Sequence, residues 1–308
     1  MPTLPVQKKM LLYTIGGISI NMIPKGTSCS LLQEMRPYQH KEFFCCADAK
    51  KKNTHIQAYI KQQQQIYAPS ESDKIYTHQQ TEFYKTASGY LQKFYPSIQR
   101  EISSAQIITN GDFSRFDCFL NERIAKSIDL YAQYVGNKFL FMHSLINHQG
   151  LIIHAAGGSI LNKGMVFAAP SGIGKSTLSR LLLAHPDIHL FSEERLVLRS
   201  TENTDEWKIW GTPWKGNGSI ARNKTTPLTA LIFLTQAERT KITPLSLSAG
   251  LQRLLQVVSI PWYSEEWTNK GLAICESLIQ KIPIFELAFK PDQSAVQAVK
   301  KLASSFNG

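Results

Sequence analysis

The string Ala169-Pro170-Ser171-Gly172-Ile173-Gly174-Lys175-Ser176-Thr177 constrains this chain more than any other feature. It lies between an apolar run at residues 164–169, read as a short buried strand, and a helical run at 176–185 with Leu178, Leu181, Leu182 and Leu183 as its apolar face. The pattern G-x-x-x-x-G-K-[ST] in that context is a phosphate-binding loop. Its glycines let successive N–H groups converge on an anion at the start of a helix. Lys175 adds a mobile charge for the β and γ phosphates, and the Ser176 hydroxyl is placed to ligate Mg²⁺. Ala169 stands where the strict pattern has glycine, which is harmless if that position only ends the strand and needs no positive φ.

Around this loop the second half of the chain alternates strand-like and helix-like runs, with turn residues between them. Strands are expected at 151–155, 187–192, 195–199, 207–211, 228–234 and 282–289, with a turn at Asn162-Lys163-Gly164. Helices are expected at 246–258, 271–280 and 292–305. The fold class is therefore α/β (α+β), with a domain of about 160 residues.

The first half is patchier. Strand-like runs at 11–20 and 115–120 are separated by polar segments, among them Lys50-Lys51-Lys52, the glutamines 62–65 and Pro69-Ser70-Glu71-Ser72-Asp73, which read as solvated loops or surface helix. Residues 124–146 carry Ile124, Ile128, Leu130, Tyr131, Tyr134 and Val135 at helical spacing. The expected division is a strand-rich N-terminal domain over 1–145 and a loop-bearing domain over 146–308.

Charge and cysteines narrow the function classes. The net charge of +11 is spread, with 17 basic against 11 acidic residues in 1–150 and 17 against 12 in 151–308. A nucleic-acid reader usually concentrates its excess in a stripe, so no specific nucleic-acid partner is expected. Cys29, Cys45, Cys46, Cys118 and Cys275 lack the paired C-x-x-C spacing of a zinc or redox site. The run after Lys8-Lys9 is broken by Gly16-Gly17 and has no small-x-small site after it, and nothing reaches the ~18 apolar residues of a membrane span. A cytoplasmic chain is expected.

Other residues could serve a bound phosphate. Glu193-Glu194 follows the strand at 187–192 and would gather with the loop outside the carboxyl ends of the strands, as base and metal anchor or as a solvated turn paired with Arg195. His154 closes the strand at 151–155, as a packed core histidine or a site residue. Gly211-Thr-Pro-Trp-Lys-Gly-Asn-Gly218 is a loop that could cover a nucleotide, hold an acceptor or simply connect, with Trp214 and Lys215 at its centre and the cations Arg222 and Lys224 beyond it.

Four strings in order, His154-Ala-Ala-Gly157, Pro170-Ser-Gly-Ile-Gly-Lys-Ser-Thr-Leu178, Ser192-Glu-Glu194 and Gly211-Thr-Pro-Trp-Lys-Gly216, resemble the HPr kinase/phosphorylase-like branch of the P-loop kinases, related to PEP carboxykinase. The resemblance spans about residues 146–305. It implies that residues 170–177 hold ATP, that Ser176 and Glu194 anchor Mg²⁺, that Glu193 or Glu194 takes the acceptor proton, and that His154 is an active-site histidine. Glu stands where that family usually has Asp, and a carboxylate displaced by one methylene can cost ~10²-fold in rate. No counterpart of the glycine-rich HPr-engaging signature is present. Related kinases of peptide-modification gene clusters share this length and a strand-rich first half, and some phosphorylate a serine of a precursor peptide. A Ser/Thr hydroxyl of a peptide or protein is the acceptor this implies, with residues 1–145 helping to present it. A small-molecule phosphotransferase and a nucleotide-dependent binding switch stay open beside it, as does a homo-oligomer, since the related enzymes often assemble.

Overall fold

The structure, a computed structural model, describes residues 10–25, 41–47, 54–62, 67–78, 81–95, 105–120, 137–201, 206–215 and 220–306. Cys29, Lys50 to Lys52, the glutamines 63–65, most of the helical run at 124–146 and Gly216 to Gly218 lie outside them. The chain divides into two compact units, Met1–Ser144 and Leu145–Gly308.

The described residues of the first unit form nine strands: β1 (Met10–Ile15), β2 (Ile18–Lys25), β3 (Phe44–Ala47), β4 (Ile56–Gln62), β5 (Lys74–His78), β6 (Thr81–Thr86), β7 (Gly89–Phe94), β8 (Ala105–Asn110) and β9 (Arg115–Leu120). They form one sheet in the order β3-β1-β2-β4-β9-β8-β7-β6-β5, with β2, β4 and β9 parallel and the other pairs antiparallel. The apolar run at 11–20 is a hairpin rather than one strand. Gly16 and Gly17 take φ of 57° and 75°, the paired left-handed turn whose twist suits a two-residue hairpin.

Helix α1 (Lys138–Asn147) follows, and the division between units falls inside it. In the first unit His143 is fully buried, stacked on Phe113 with ring centroids 4.3 Å apart, with Phe83, Tyr90 and Phe139 around it. Burial in this aromatic cage pushes its pKa down to about 3, so it sits there neutral. Glu82 is also buried. Burial alone would raise its carboxyl, but the Tyr84 and Tyr95 hydroxyls, each donating at 2.6 Å, and Lys74 at 3.2 Å hold it at about 2.

The second unit runs β10 (Gly150–Ile153), β11 (Ala155–Ile160), β12 (Lys163–Ala168), α2 (Lys175–Leu183), β13 (Ile188–Ser192), β14 (Leu196–Ser200), β15 (Trp207–Gly211), β16 (Thr225–Gln236), β17 (Lys241–Pro244), α3 (Leu247–Leu255), β18 (Val258–Ser259), α4 (Glu265–Lys281), β19 (Ile284–Phe289) and α5 (Gln293–Ser305). Its ten-stranded sheet has the order β13-β11-β12-β16-β15-β14-β10-β18, with β19 beside β16 and β17 beside β19. β12, β16 and β19 are parallel, so their carboxyl ends share one rim of the sheet. The fold is thus mixed α/β.

The packing explains where this rim gets its rigidity. Met165, Phe167, Ile232 and Leu287 from the parallel strands bury against Leu178 and Leu182 of α2 and Val296 and Val299 of α5. Each such side chain contributes about 1.5–3 kcal/mol on leaving water. Leu183, expected on the apolar face of α2, is exposed, because that face turns through Leu178 and Leu182 and leaves the last leucine outside. The strand expected at 151–155 breaks at His154, and a further strand, β11, begins at Ala155. The helix expected at 246–258 ends at Leu255, and Val258 belongs to β18. No helix among the described residues is long and apolar enough to cross a membrane.

Candidate functional site

β12 delivers the chain to the rim, and the loop turns there because Gly172 and Gly174 take φ of 87° and 105°. A side chain at either would be strained. At Gly174 it would also meet the ring of Phe289, at the end of β19, at 3.1 Å. Ala169 is buried and is not among the positive-φ residues, so alanine is compatible with its place at the end of the strand. Gln236, closing β16, donates from Nε2 to the Gly172 carbonyl at 3.3 Å and ties the loop to the next parallel strand.

Helix α2 starts directly from this loop with Gly174 as its cap and no side chain bonding to its first amides. The first N–H groups of a helix lack intrahelical partners and carry the positive end of its dipole. Lys175 is buried and donates from Nζ to the carbonyls of Ala169 at 2.8 Å and Pro170 at 3.2 Å. Those carbonyls satisfy donors without neutralising the charge. Burial lowers the pKa of Lys175, Glu194 opposes that through space, and Arg195 reinforces it. Pro170, Ser171, Gly172 and Ser176 are exposed along this rim, with Ile173 and Thr177 half-buried.

The acidic pair is positioned by the end of β13. Ser192 is fully buried, and its Oγ accepts from the amides of Glu194 at 3.3 Å and Arg195 at 3.2 Å, which bends the chain immediately after the strand. Glu194 points one carboxylate oxygen at His154 Nε2, 3.7 Å away, and the other at the Arg195 guanidinium at 4.0 Å. Glu193 is half-buried, and burial alone raises its pKa. His154 sits at the bend between β10 and β11, its amide donating to the Val257 carbonyl at 2.8 Å. The structure therefore brings His154, Lys175, Glu194 and Arg195 into one electrostatic neighbourhood.

Two residues of this site carry no signal in composition or periodicity. Thr212, fully buried just after β15, donates from Oγ1 to the Arg195 carbonyl at 2.7 Å. With Ser192 it fixes the acidic turn from both sides. The strings Ser192-Glu-Glu194 and Gly211-Thr-Pro-Trp contain both residues, but the bond from Thr212 goes to Arg195, 17 residues away in the chain. Beyond the loop, the Arg222 amide donates to the Phe191 carbonyl at 2.9 Å and Ala221 bridges Ser192, so the backbone at 221–222 flanks the acidic turn. The Arg222 side chain is exposed, as is Lys215, and Trp214 is half-buried.

A side chain at Gly211 would lie 1.9 Å from the Arg222 carbonyl, so the close approach of these segments requires glycine there. Among the described residues no three His, Cys, Asp or Glu side chains group as a metal cluster. A Mg²⁺ ion held mainly by phosphate oxygens and water needs only one or two protein ligands, and Ser176 and Glu194 are of the right chemistry.

A family model described as SynChlorMet cassette protein ScmC matches residues 118–290, more than half of the chain. The chain belongs to the ScmC family. The ScmC match contains every residue of this site, from His154 to Arg222, and ends before α5. No curated protein matches the chain.

Proposed function

We propose that this ScmC-family chain is an ATP- and Mg²⁺-dependent kinase with an HPr kinase-like second unit, acting in the cytoplasm on a Ser or Thr hydroxyl of a peptide or protein. The observation that carries this reading is Lys175. It is a buried cation satisfied, among the described residues, only by the carbonyls of its own loop, at the uncapped start of α2 and within electrostatic reach of Glu194. Such an arrangement gains most from an anion that Lys175 can turn toward.

ATP, when bound, supplies a terminal phosphoryl group that passes in line to the acceptor oxygen while ADP leaves. The amides of residues 172–177 and Lys175 Nζ would hold its phosphates, and Ser176 Oγ with Glu194 would hold Mg²⁺. Glu193, whose carboxyl burial makes more basic, takes the proton of the acceptor hydroxyl. His154 orients the Glu194 carboxylate. The loop at 211–215, with Trp214 and Lys215, and Arg222 face the acceptor, and residues 1–144 help to present it.

Transfer of label from γ-labelled ATP into a cytosolic extract, wild type against Lys175→Ala, tests this reading. Lys175-dependent label in a precipitable band supports a peptide or protein kinase. Lys175-dependent label only in the soluble fraction selects a small-molecule acceptor, and nucleotide binding without label in either fraction selects a switch.

A further inference from the structure

Arg195 has a place in this site that the kinase reading leaves unused. Its backbone is clamped at both ends, the amide by Ser192 Oγ at 3.2 Å and the carbonyl by Thr212 Oγ1 at 2.7 Å. Its side chain is 20% exposed, and its one ionic contact among the described residues is Glu194 at 4.0 Å, beyond hydrogen-bond reach. A guanidinium presents five N–H donors in a planar fork. Here that fork is held on a turn bonded at both ends, largely out of water, without an acceptor at bonding distance among the described residues.

The surroundings say what would complete it. Lys175, buried at the foot of α2, feels the charge of both Glu194 and Arg195. Glu194 is divided between His154 Nε2 at 3.7 Å and Arg195 at 4.0 Å. A group bearing several anionic oxygens would supply acceptors to the fork and charge to both cations.

We propose that Arg195 grips the terminal phosphate of the bound nucleotide and is the residue that distinguishes ATP from ADP. This rests on the reading of the second unit as a nucleotide site. Lys175 at the foot of α2 serves both nucleotides, whereas Arg195, across the rim on the acidic turn, serves only the longer one. Arg195 neither gives nor takes a proton. Its rigid mounting fits a role in which the charge is set in place before the reaction begins.

The test is calorimetric binding, with Mg²⁺, of ADP and of a non-hydrolysable ATP analogue to the full chain. Wild type should bind both. Arg195→Gln should weaken the analogue by about 10- to 100-fold and leave ADP within about two-fold, the loss expected for hydrogen bonds to a charged group. Arg195→Lys should recover only part of the loss, because an ammonium restores charge without the fork. Equal loss for both ligands, or no loss for either, would overturn the proposal. A wild type that binds neither nucleotide would instead remove the kinase reading, and this proposal with it. Should Arg195→Gln not fold, phenylglyoxal modification of the wild type, read at the Arg195 peptide, decides. Protection by the analogue and not by ADP supports the assignment, and equal protection or none overturns it.

Discussion

Thr212 Oγ1 donates to the carbonyl of Arg195 at 2.7 Å, and this bond joins the loop after β15 to the turn that carries Glu193 and Glu194. Thr212 is fully buried and the bond partly so, and its loss is felt in stability and in the alignment of the carboxylates together.

Thr212→Val keeps the shape and removes the donor, leaving a carbonyl without its partner, at a cost of about 1–3 kcal/mol. Urea unfolding should show that loss. Phosphate transfer should fall more than nucleotide affinity, because Lys175 is held by other atoms, while Thr212→Ser retains both. Unchanged transfer in Thr212→Val would contradict the positioning role.

Glu193 as proton acceptor makes a prediction about pH. Burial raises its pKa, and a base works only when ionised, so kcat/KM should drop as pH falls through a value above the ordinary one for a glutamate. Glu193→Gln should remove that acid limb together with most of the turnover, with ATP affinity largely kept. An acid limb that survives in Glu193→Gln belongs to another group.

His143 gives the first unit its own sensitivity to acid. Its folded pKa of about 3 lies below the unfolded value near 6.5, so the folded state resists protonation in that window. Stability is fully present above pH 6.5 and is lost as pH falls toward 3. Between pH 7 and 5.5 the loss should be about 1 kcal/mol. Glu82, held at about 2, acts in the same direction but only below its unfolded value of about 4.3, so it does not confuse the comparison. Urea midpoints at the two pH values should differ in wild type and converge in His143→Phe.

Gly158 tests the strand contact that places the acidic turn. A Cβ there would lie 2.1 Å from the His189 carbonyl of β13, and the two strands are in register from Gly158–Leu190 to Ile160–Ile188. Gly158→Ala should destabilise the chain by about 1–3 kcal/mol through forced separation. It should also impair transfer, since β13 ends one residue before Glu193. Wild-type stability and activity in this variant would show that β13 yields freely.

The strand, loop and helix around Lys175 were legible because their signal is local: two glycines needing positive φ and a helix starting at the next residue. β11 was not, since Ala-Ala-Gly-Gly-Ser has little strand propensity. It exists because its glycines allow neighbouring backbones to approach closely. The hairpin at Gly16-Gly17 was hidden inside a run whose hydrophobicity continues across the turn. Ser192, Arg195 and Thr212 are ordinary residues in sequence. Their roles come from a contact between β13 and the loop after β15, which no periodicity announces. The polar cluster around Glu82 is of the same kind, assembled from β5, β6 and the residue after β7.

If Lys175 serves a bound phosphate as proposed, the most direct measurement is the affinity of purified wild type and Lys175→Ala for ATP with Mg²⁺, by calorimetry. The prediction is saturable binding by wild type that weakens at least about ten-fold in Lys175→Ala, as expected when a charged partner of a phosphate is removed. Equal affinity in the two proteins, or no binding by wild type, would contradict it.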